Sequence, residues 1–373
     1  MRLLSLEVTN YRNISKAQLE PGRELTVICG NNGQGKTNLL EAIWLLTGGK
    51  SFRGGKDAEL VRRGETFAVL DAVTLRAWQE DQERDDPSHV RITVGTPDSQ
   101  RPGRYASVNG TPPKRAAGLA GSFPAVVFDP GHLSLVKGAP EGRRKFLDAA
   151  LCQLYPGYLA TYRRYVRVLQ QKNALLRHSA NGVERPYAEK CAMLEVLNAE
   201  LAAQGEAIQK RRREYLALLG PLACANYQEL SHGAERMGIR YAAQFEPGGL
   251  AECLKQHQSE ELRAGQSRCG IHREDIELLL DDHPAKVFAS QGQQRSVVLS
   301  LKMAEAAAAA RITGEHPVLL LDDVLSELDE SRKQYLLTRM KEKQTFVTSC
   351  DDTAFLKTDG EVYRMDGGVL SKA

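Results

Sequence analysis

Two stretches of this chain belong to one site, yet Thr37 in the first and Asp322 at the end of the second stand 285 positions apart. The first is Gly30-Asn31-Asn32-Gly33-Gln34-Gly35-Lys36-Thr37, which follows the apolar run Leu25–Cys29 and leads into the helix-periodic run from Asn38. That spacing of glycines, lysine and threonine between a strand and a helix is the P-loop pattern. Its glycines let backbone N–H groups turn inward on a phosphate chain, and the helix N-terminus adds its dipole. Lys36 would bridge the β- and γ-phosphates, and Thr37 would turn a hydroxyl to Mg²⁺. The second stretch is Val318–Leu321, four apolar residues that end on Asp322 and Asp323. A buried strand of that kind delivers Asp322 toward the metal and Asp323 toward the attacking water. Neither half is a site alone. The two strands are therefore expected to be adjacent in one sheet, with everything between them a structured insertion in an α/β fold.

The texture of the chain locates that insertion. The first 130 or so residues read as strands around one early helix: Leu3–Tyr11, Leu25–Gly30, Phe67–Trp78, His89–Gly95, a hairpin Arg104–Lys114 turning at Asn109-Gly110, and the short buried Pro124–Pro130. Gln79–Ser88 is charged and contains a proline, so it reads as a solvated loop. From Glu141 to Gly220 two helical runs flank the turn-forming Ser179–Pro186. They predict an antiparallel helical hairpin with arms of about 50 Å at most. A further helix is expected within Phe245–Gln266, then strand text at Ile276–Asp282 and Lys286–Gln291, and a helix from Gln293 to Arg311. The strand Pro317–Asp323, a helix from Asp329, the strand Thr345–Cys350 and a hairpin over Gly360–Leu370 close the chain. The organisation expected is a head from residues 1–137 and 271–373, and a mostly helical arm from 138–270.

Charge favours one class of partner. The chain as a whole is nearly balanced, with 50 Lys and Arg against 47 Asp and Glu, but Lys137 to Arg213 holds 15 against 7. Such a basic stripe is the electrostatic footprint of a phosphate-backbone binder. No window approaches 18 apolar residues, and the amino terminus has neither the apolar stretch nor the cleavage site of a signal peptide. A cytoplasmic protein without a membrane span is expected. The cysteines Cys29, Cys152, Cys191, Cys224, Cys253, Cys269 and Cys350 are scattered and odd in number, and no C-x-x-C occurs. They read as small buried hydrophobes, which argues against a disulfide framework and against a zinc site.

A third motif, Ser290-Gln291-Gly292-Gln293, opens the helix before the second stretch. Ser290 suits an N-cap, and the first free N–H groups offer another anion site. In ABC-type ATPases the equivalent stretch faces the γ-phosphate held by a second subunit, so one chain would hold two half-sites completed in a two-fold dimer. Ser326–Asp329 follows where an interface loop belongs, and Val347–Cys350 where a switch strand ends.

These motifs in this order, with Asn10-Tyr11-Arg12-Asn13, Lys50–Arg53, Phe128–Asp148 and Gly270–Asp275, resemble the RecF family of bacterial recombinational-repair ATPases over nearly the full length. The resemblance implies an ABC-type P-loop ATPase head with a mixed sheet, plus an inserted, mostly α-helical second domain. It implies a weak, DNA-stimulated ATPase that uses ATP and Mg²⁺ and dimerises with ATP on duplex or gapped DNA. It also implies cooperation with RecR and RecO in loading RecA at single-strand gaps. Lys36, Asp323, Ser290 and Gln293 would be catalytic. Gly30 to Asn38 (Gly30, Asn31, Asn32, Gly33, Gln34, Gly35, Lys36, Thr37 and Asn38), with Arg12 and Gly292, would hold the nucleotide, and Thr37 and Asp322 the metal.

Two features depart from the pattern. Gly270–Asp275 has Ile271 and Glu274 where the family leads one to expect Pro and Asp, so it is assigned no chemistry. Transporter-type relatives carry a metal-contacting Gln where this chain has Phe128–Leu135, and His132 is left unassigned. Tyr11 reads equally as core. Arg53, Arg143, Arg144, Lys145, Arg163, Arg164 and Arg167 are the candidate DNA contacts, through phosphates and with little base preference. Lys210–Arg213 reads as a solvated stretch of helix. The alternatives are a chromosome-organising head of the SMC class, which needs far more coiled coil, and a nucleotide-regulated scaffold, which needs no second acid at Asp323. An ABC transporter subunit fits neither the 285-residue separation nor the basic arm.

Overall fold

The computed structural model describes residues 1–76, 87–180, 186–350 and 360–373. The expected loop at Gln79–Ser88 and turn at Ser179–Pro186 lie for the most part outside the described residues. The chain forms two compact units: Met1–His132 with Val298–Ala373, and Leu133–Val297.

The first unit is built on two six-stranded sheets. One is antiparallel, from β1 (Arg2–Tyr11), β2 (Ile14–Leu19), β4 (Phe67–Leu75), β5 (Ser88–Gly95), β6 (Gly103–Val108) and β7 (Lys114–Arg115), in the order β2-β1-β4-β5-β6-β7. Its strands alternate: Ala68, Leu70 and Ala72 of β4 are buried between more open neighbours. That is the pattern of a sheet covered on one face. The other joins β3 (Leu25–Cys29), β8 (Ala125–Phe128), β12 (Val318–Leu321), β13 (Thr345–Ser349), β14 (Glu361–Asp366) and β15 (Val369–Lys372), in the order β15-β14-β3-β13-β12-β8. All its pairings are parallel except β14 with β15. β8 and β12 are continuous apolar runs, and β3 and β13 are buried along nearly their whole length, because both faces are covered. Helix α1 (Lys36–Leu45) is buried on nearly every side, within a core that draws on both sheets.

One sequence expectation is corrected here. β3 and β12 are not neighbours; β13 runs between them and pairs with both. The P-loop and its carboxylates therefore converge across an intervening strand tip, and that tip contributes a residue of its own. The strand β2 was absent from the sequence reading.

The second unit holds α2 (Ser134–Lys137), α3 (Pro140–Leu154), α4 (Tyr158–Ala180), α5 (Tyr187–Leu230) and α6 (Leu250–Ala264). A three-stranded antiparallel sheet, β11-β10-β9, joins β9 (Met237–Ala242), β10 (Asp275–Leu280) and β11 (His283–Pro284). The stretch Ile271–Val297 lies with this unit. Helix α5 runs 44 residues, straight through Gly220 and Pro221, where a stop was expected. At 1.5 Å per residue it spans about 66 Å, not 50. Proline removes one backbone bond, but Leu219, Ala223 and Tyr227 keep one face buried across it, and packing prevails. Gly205 lets α6 come close: a Cβ there would meet Leu250 Cδ2 at 2.3 Å. Lys286–Gln291, expected as a strand, instead contains one helical turn, α7 (Ala285–Phe288), entered through Pro284 and pinned by the buried Ala285. Helix α8 (Gln291–Thr313) follows, and α9 (Glu330–Met340) is capped by Asp329, which accepts from the Arg332 N–H at 2.9 Å.

Lys210–Arg213 is not simply a solvated stretch. Arg212 is 1% exposed and forms a bidentate pair with Asp148, at 3.0 and 2.9 Å. It also donates to the Ile271 carbonyl at 2.8 Å and lies 3.4 Å from Glu274. Glu274 is itself fully buried and accepts from Gln209 at 2.7 Å and from Tyr241. The Gly270–Asp275 segment thus serves as the ionic core of this unit.

The cysteine expectation fails at one pair. Cys253 and Cys269 are disulfide-bonded, with Cα atoms 6.3 Å apart. Their separation of 16 matches no familiar motif. Only the fold of α6 and its following turn brings them together.

Candidate functional site

The chemistry-bearing residues of the first unit gather at the C-terminal ends of β3, β13 and β12. Gly30, Gly33 and Gly35 all have positive φ, at 143°, 79° and 118°. Two of these positions admit no side chain: a Cβ on Gly30 would meet the Met365 carbonyl oxygen at 2.3 Å, and one on Gly35 would meet Asn13 Oδ1 at 2.7 Å. The loop is braced from outside. Asn13 donates to the Gln34 carbonyl at 3.0 Å and accepts from Asn38 at 2.7 Å. Gln34 accepts from the Gly367 and Gly368 N–H groups, at 2.6 and 2.9 Å, in the β14–β15 turn. Asn31, Asn32 and Gly33 remain exposed at the tip.

Helix α1 begins at Gly35 with no side-chain cap and no acidic residue in its first turn. Its first N–H groups therefore face the loop without an internal acceptor from a side chain, as an anion site requires. Lys36 is 6% exposed and folds back on the carbonyls of Gly30 and Asn31, at 2.5 and 2.9 Å, with Cys350 Sγ at 3.4 Å. Cys350 in turn donates to Asn32 Oδ1 at 3.0 Å.

Thr37 Oγ1 donates to Asp322 Oδ1 at 2.8 Å, which joins the two sequence halves directly. Thr348, at the tip of β13, donates to the same oxygen at 2.9 Å and accepts the Asp323 N–H at 2.8 Å. Burial raises the Asp322 pKa above the ordinary carboxylate value, and the two hydroxyls pull it back down only in part. Asp323 has φ 52°, the left-handed region a non-glycine residue rarely adopts. Thr348 on its N–H and Ser326 on its carbonyl, at 2.7 Å, hold it there. Such strain persists only where the surroundings over-determine it, and it gathers at functional sites.

A nucleoside triphosphate and Mg²⁺ fit this donor set. Inward glycine N–H groups and Lys36 suit the phosphates, while Thr37 and Asp322 are the oxygen ligands that Mg²⁺ accepts beside water and phosphate. The metal would neutralise charge on the phosphate oxygens.

The remaining sequence candidates fall in varied places. Arg12 is committed to buried Glu41 through two bonds, at 2.9 and 2.8 Å, and to the Glu59 carbonyl at 3.1 Å. Burial alone would raise the Glu41 pKa, but Arg12 and Ser51 hold it below its ordinary value. Tyr11 is fully buried, as core. Arg53 bonds Asn38 Oδ1 at 2.5 Å, beside the P-loop. His132 is half-buried beside Asp129, and desolvation pushes its pKa well below the ordinary value. Asp129 extends β8 next to Asp322, and burial together with that neighbouring charge raises its pKa.

In the second unit Ser290 and Gln293 form a reciprocal capping box. The Gln293 N–H donates to Ser290 Oγ at 3.3 Å, and the Ser290 N–H to Gln293 Oε1 at 2.6 Å. Gln293 also bonds Glu235, and Gly292 is half-buried in the first turn. Arg143, a candidate DNA contact, is instead buried, paired with Asp275 at 2.8 and 2.7 Å and bonded to the Leu135 and Gly138 carbonyls. Arg144 is half-buried on the Glu274 carbonyl at 2.7 Å. Lys145, Arg163, Arg164 and Arg167 are exposed, with Lys145 paired to Glu141 and Arg164 to Glu200. Sequence reasoning named neither Thr348 nor Asn13 individually. Each lay inside a motif already singled out, as the polar neighbour of the residues that drew attention.

Among the described residues no helix is long and apolar enough to cross a membrane. The sequence profile of the RecF/RecN/SMC N terminal domain matches residues 2–367. A "DNA replication and repair protein RecF" of Heliobacterium modesticaldum is 36% identical over 386 residues, covering all of both chains. One of Geobacter sp. is 36% identical over 360 residues, 94% of this chain and 93% of its own. A solved "recombination mediator protein RecF-ATP in RecFOR pathway" superposes with a TM-score of 0.89 at 30% identity, over 100% of this chain and 97% of the other. The Smc head domain from Pyrococcus furiosus shares the fold alone, at a TM-score of 0.54 and 17% identity over 100% of this chain and 95% of its own. With an ABC-type α/β head and a relative this similar over its whole length, the chain belongs to the RecF family of DNA replication and repair proteins.

Proposed function

We propose that the chain is an ATP-operated DNA clamp for recombinational repair and replication restart at single-strand gaps. ATP and Mg²⁺ bind at Gly30–Asn38 and Asp322, with Arg12 bracing the site through Glu41. The γ-phosphate is completed by Ser290, Gly292 and Gln293 of a second copy, so that two heads join only around nucleotide. Asp323 orients and deprotonates the attacking water, and slow, DNA-stimulated hydrolysis releases the clamp. The exposed Lys145, Arg163, Arg164 and Arg167 meet the DNA backbone, while Arg53 couples the phosphate site to DNA. The protein acts in the cytoplasm, and RecR, with RecO, is the partner through which RecA is loaded.

The observation that carries this reading is the Thr37–Asp322 bond at 2.8 Å. It brings the two side chains proposed as metal ligands together across the whole insertion, and beside them Asp323 is held in a strained backbone. A scaffold that only binds nucleotide has no use for that second acid. The head similarity to Smc proteins supports the fold and adds no competing function.

Light scattering tests it, with Mg²⁺ present and ATP present or absent, at two salt concentrations. ATP should double the mass of the wild type, and Lys36→Met and Ser290→Arg should each prevent it. A mass that stays monomeric, or doubles without ATP, overturns the shared site.

A further inference from the structure

Cys253, His257 and Cys269 are the one group of three or more such side chains among the described residues whose donor atoms all lie within 4.8 Å of one another. They lie in the helical unit and belong to none of the sites above. Cys253 and His257 are four residues apart on α6, so their side chains project from one face. Cys269 comes back to that face after the chain turns at Gly265, whose φ is 68°. Cys253 and Cys269 are buried, at 8% and 1% exposure, while His257 is half-buried and opens the group toward solvent.

The turn is held without help from the sulfurs. Buried Glu261 accepts from the Arg268 N–H at 2.7 Å and from Ser267 Oγ at 2.9 Å, and pairs with Lys172 at 2.6 Å. Asn173 Oδ1 accepts the Ser267 N–H at 2.7 Å, and Arg273 donates to the Ser267 carbonyl at 2.7 Å. Cys269 is therefore presented to Cys253 whether or not the two are bonded. In the disulfide form His257 Nδ1–H donates to the Cys253 carbonyl at 2.8 Å, and the same nitrogen lies 3.8 Å from Cys253 Sγ. In a tetrahedral zinc site with ordinary Zn–S and Zn–N lengths, a sulfur and a nitrogen ligand stand about 3.6 Å apart.

We propose that Cys253, His257 and Cys269 form a Zn²⁺ site when the cysteines are reduced. Two thiolates and an imidazole are the soft and borderline donors that select zinc over magnesium or calcium. A small dithiol supplies the two electrons and two protons that split the S–S bond, and is itself closed to a disulfide. Zinc then displaces both thiol protons to solvent. His257 binds as neutral imidazole: Nδ1 gives up its hydrogen bond to the Cys253 carbonyl, its proton passes through solvent to Nε2, and the freed Nδ1 takes the cation, with water in the fourth position. The cation would close the same loop that the disulfide closes, and so fix the segment leading into Ile271 and Glu274, which hold Arg212.

The test uses the full chain. It is reduced with a dithiol, freed of dithiol and metal by gel filtration without oxygen, and titrated with Zn²⁺ alone. Bound zinc is counted by elemental analysis after equilibrium dialysis. One zinc per chain is expected for the reduced wild type and for Cys191→Ser, and none for the oxidised wild type or the double variant Cys253→Ser/Cys269→Ser. His257→Ala should weaken binding by roughly tenfold or more. Alkylation of the wild type, mapped by mass spectrometry, needs no variant to fold, and zinc should protect Cys253 and Cys269 specifically. Absence of stoichiometric zinc, zinc retained by the double variant or by the oxidised chain, or protection that falls on other cysteines would each overturn the proposal.

Discussion

The P-loop site and the helical unit bury charge in different ways. At the P-loop site, Lys36 rests on two carbonyl oxygens and Asp322 on two hydroxyls, all neutral partners. In the helical unit, buried charge meets opposite charge: Arg212 with Asp148 and Glu274, Arg143 with Asp275, Lys172 with Glu261. Neutral partners hold an ion in place and leave its field available to a ligand. Ionic partners cancel the field and leave architecture. Burial of a charged side chain is thus not in itself a sign of function; what it is buried against decides.

Removing Arg212 should break this comparison most severely. Arg212→Met leaves Asp148 and Glu274 buried without their cation, a loss of about 3–5 kcal/mol by the general cost of breaking a buried pair. Urea unfolding should show it, while nucleotide affinity of the protein that remains folded should be nearly unchanged. If Arg212→Met costs less than about 1 kcal/mol, the network is not the core described here.

In the head the expected effects reverse. Asp323→Asn should lower ATP hydrolysis by roughly 10²–10³-fold, in the range seen when a group acting on the reacting water is lost. Its stability should not fall, because the hydrogen bonds that hold its backbone are retained. Nucleotide binding, followed by a fluorescent ATP analogue, should persist. A variant that hydrolyses at the wild-type rate would remove Asp323 from the chemistry.

This contrast also explains what could be read from the sequence. The P-loop and the acids after β12 were legible because their chemistry is local: glycine, lysine, threonine and aspartate at fixed offsets from a strand end. Thr348 was not, since its role depends on β13 running between β3 and β12, and strand order is not written in any one segment. Arg212 and Arg143 were misread for a related reason. In a helix a cation facing inward and one facing water have the same propensity, and only the carboxylates at Asp148 and Asp275, far along the chain, tell them apart. The Cys253–Cys269 pair likewise depends on a turn held by Glu261 and Asn173. The basic excess between Lys137 and Arg213 was real as a count, but Arg143, Lys172 and Arg212 turn inward and add little to the outward field.

pH should separate the units more gently. Burial, then Arg273, lowers His272 from its ordinary value of 6.5 to about 4, and Tyr165 shares a hydrogen bond with it at 2.8 Å. Between about pH 6.5 and pH 4 the unfolded chain binds a proton that the folded chain refuses. Stability is therefore full above pH 6.5 and falls with pH through that window, by about 2 kcal/mol at pH 5. His132 in the head has the same sign, through burial and then Lys302. Unfolding of wild type and His272→Gln at pH 7.5 and pH 5 should differ in pH dependence by about that 2 kcal/mol. Equal slopes would show that His272 is not buried neutral.

The smallest stability effect is expected on α4 at Arg163 and Arg167, which face outward. Arg163→Ala and Arg167→Ala remove exposed side chains and should change stability by less than about 0.5 kcal/mol. If these residues touch DNA phosphates, each loss should reduce the slope of log affinity against log salt by about 1, uniformly across DNA sequences. Arg143→Ala should do the opposite: it strips Asp275 of its partner, weakens the fold, and leaves the salt slope of the folded fraction alone. Measured side by side on one duplex, the three variants separate charge that is presented from charge that is spent. A salt slope that moved with Arg143 and not with Arg163 or Arg167 would mean that DNA reaches this unit by a face other than α4.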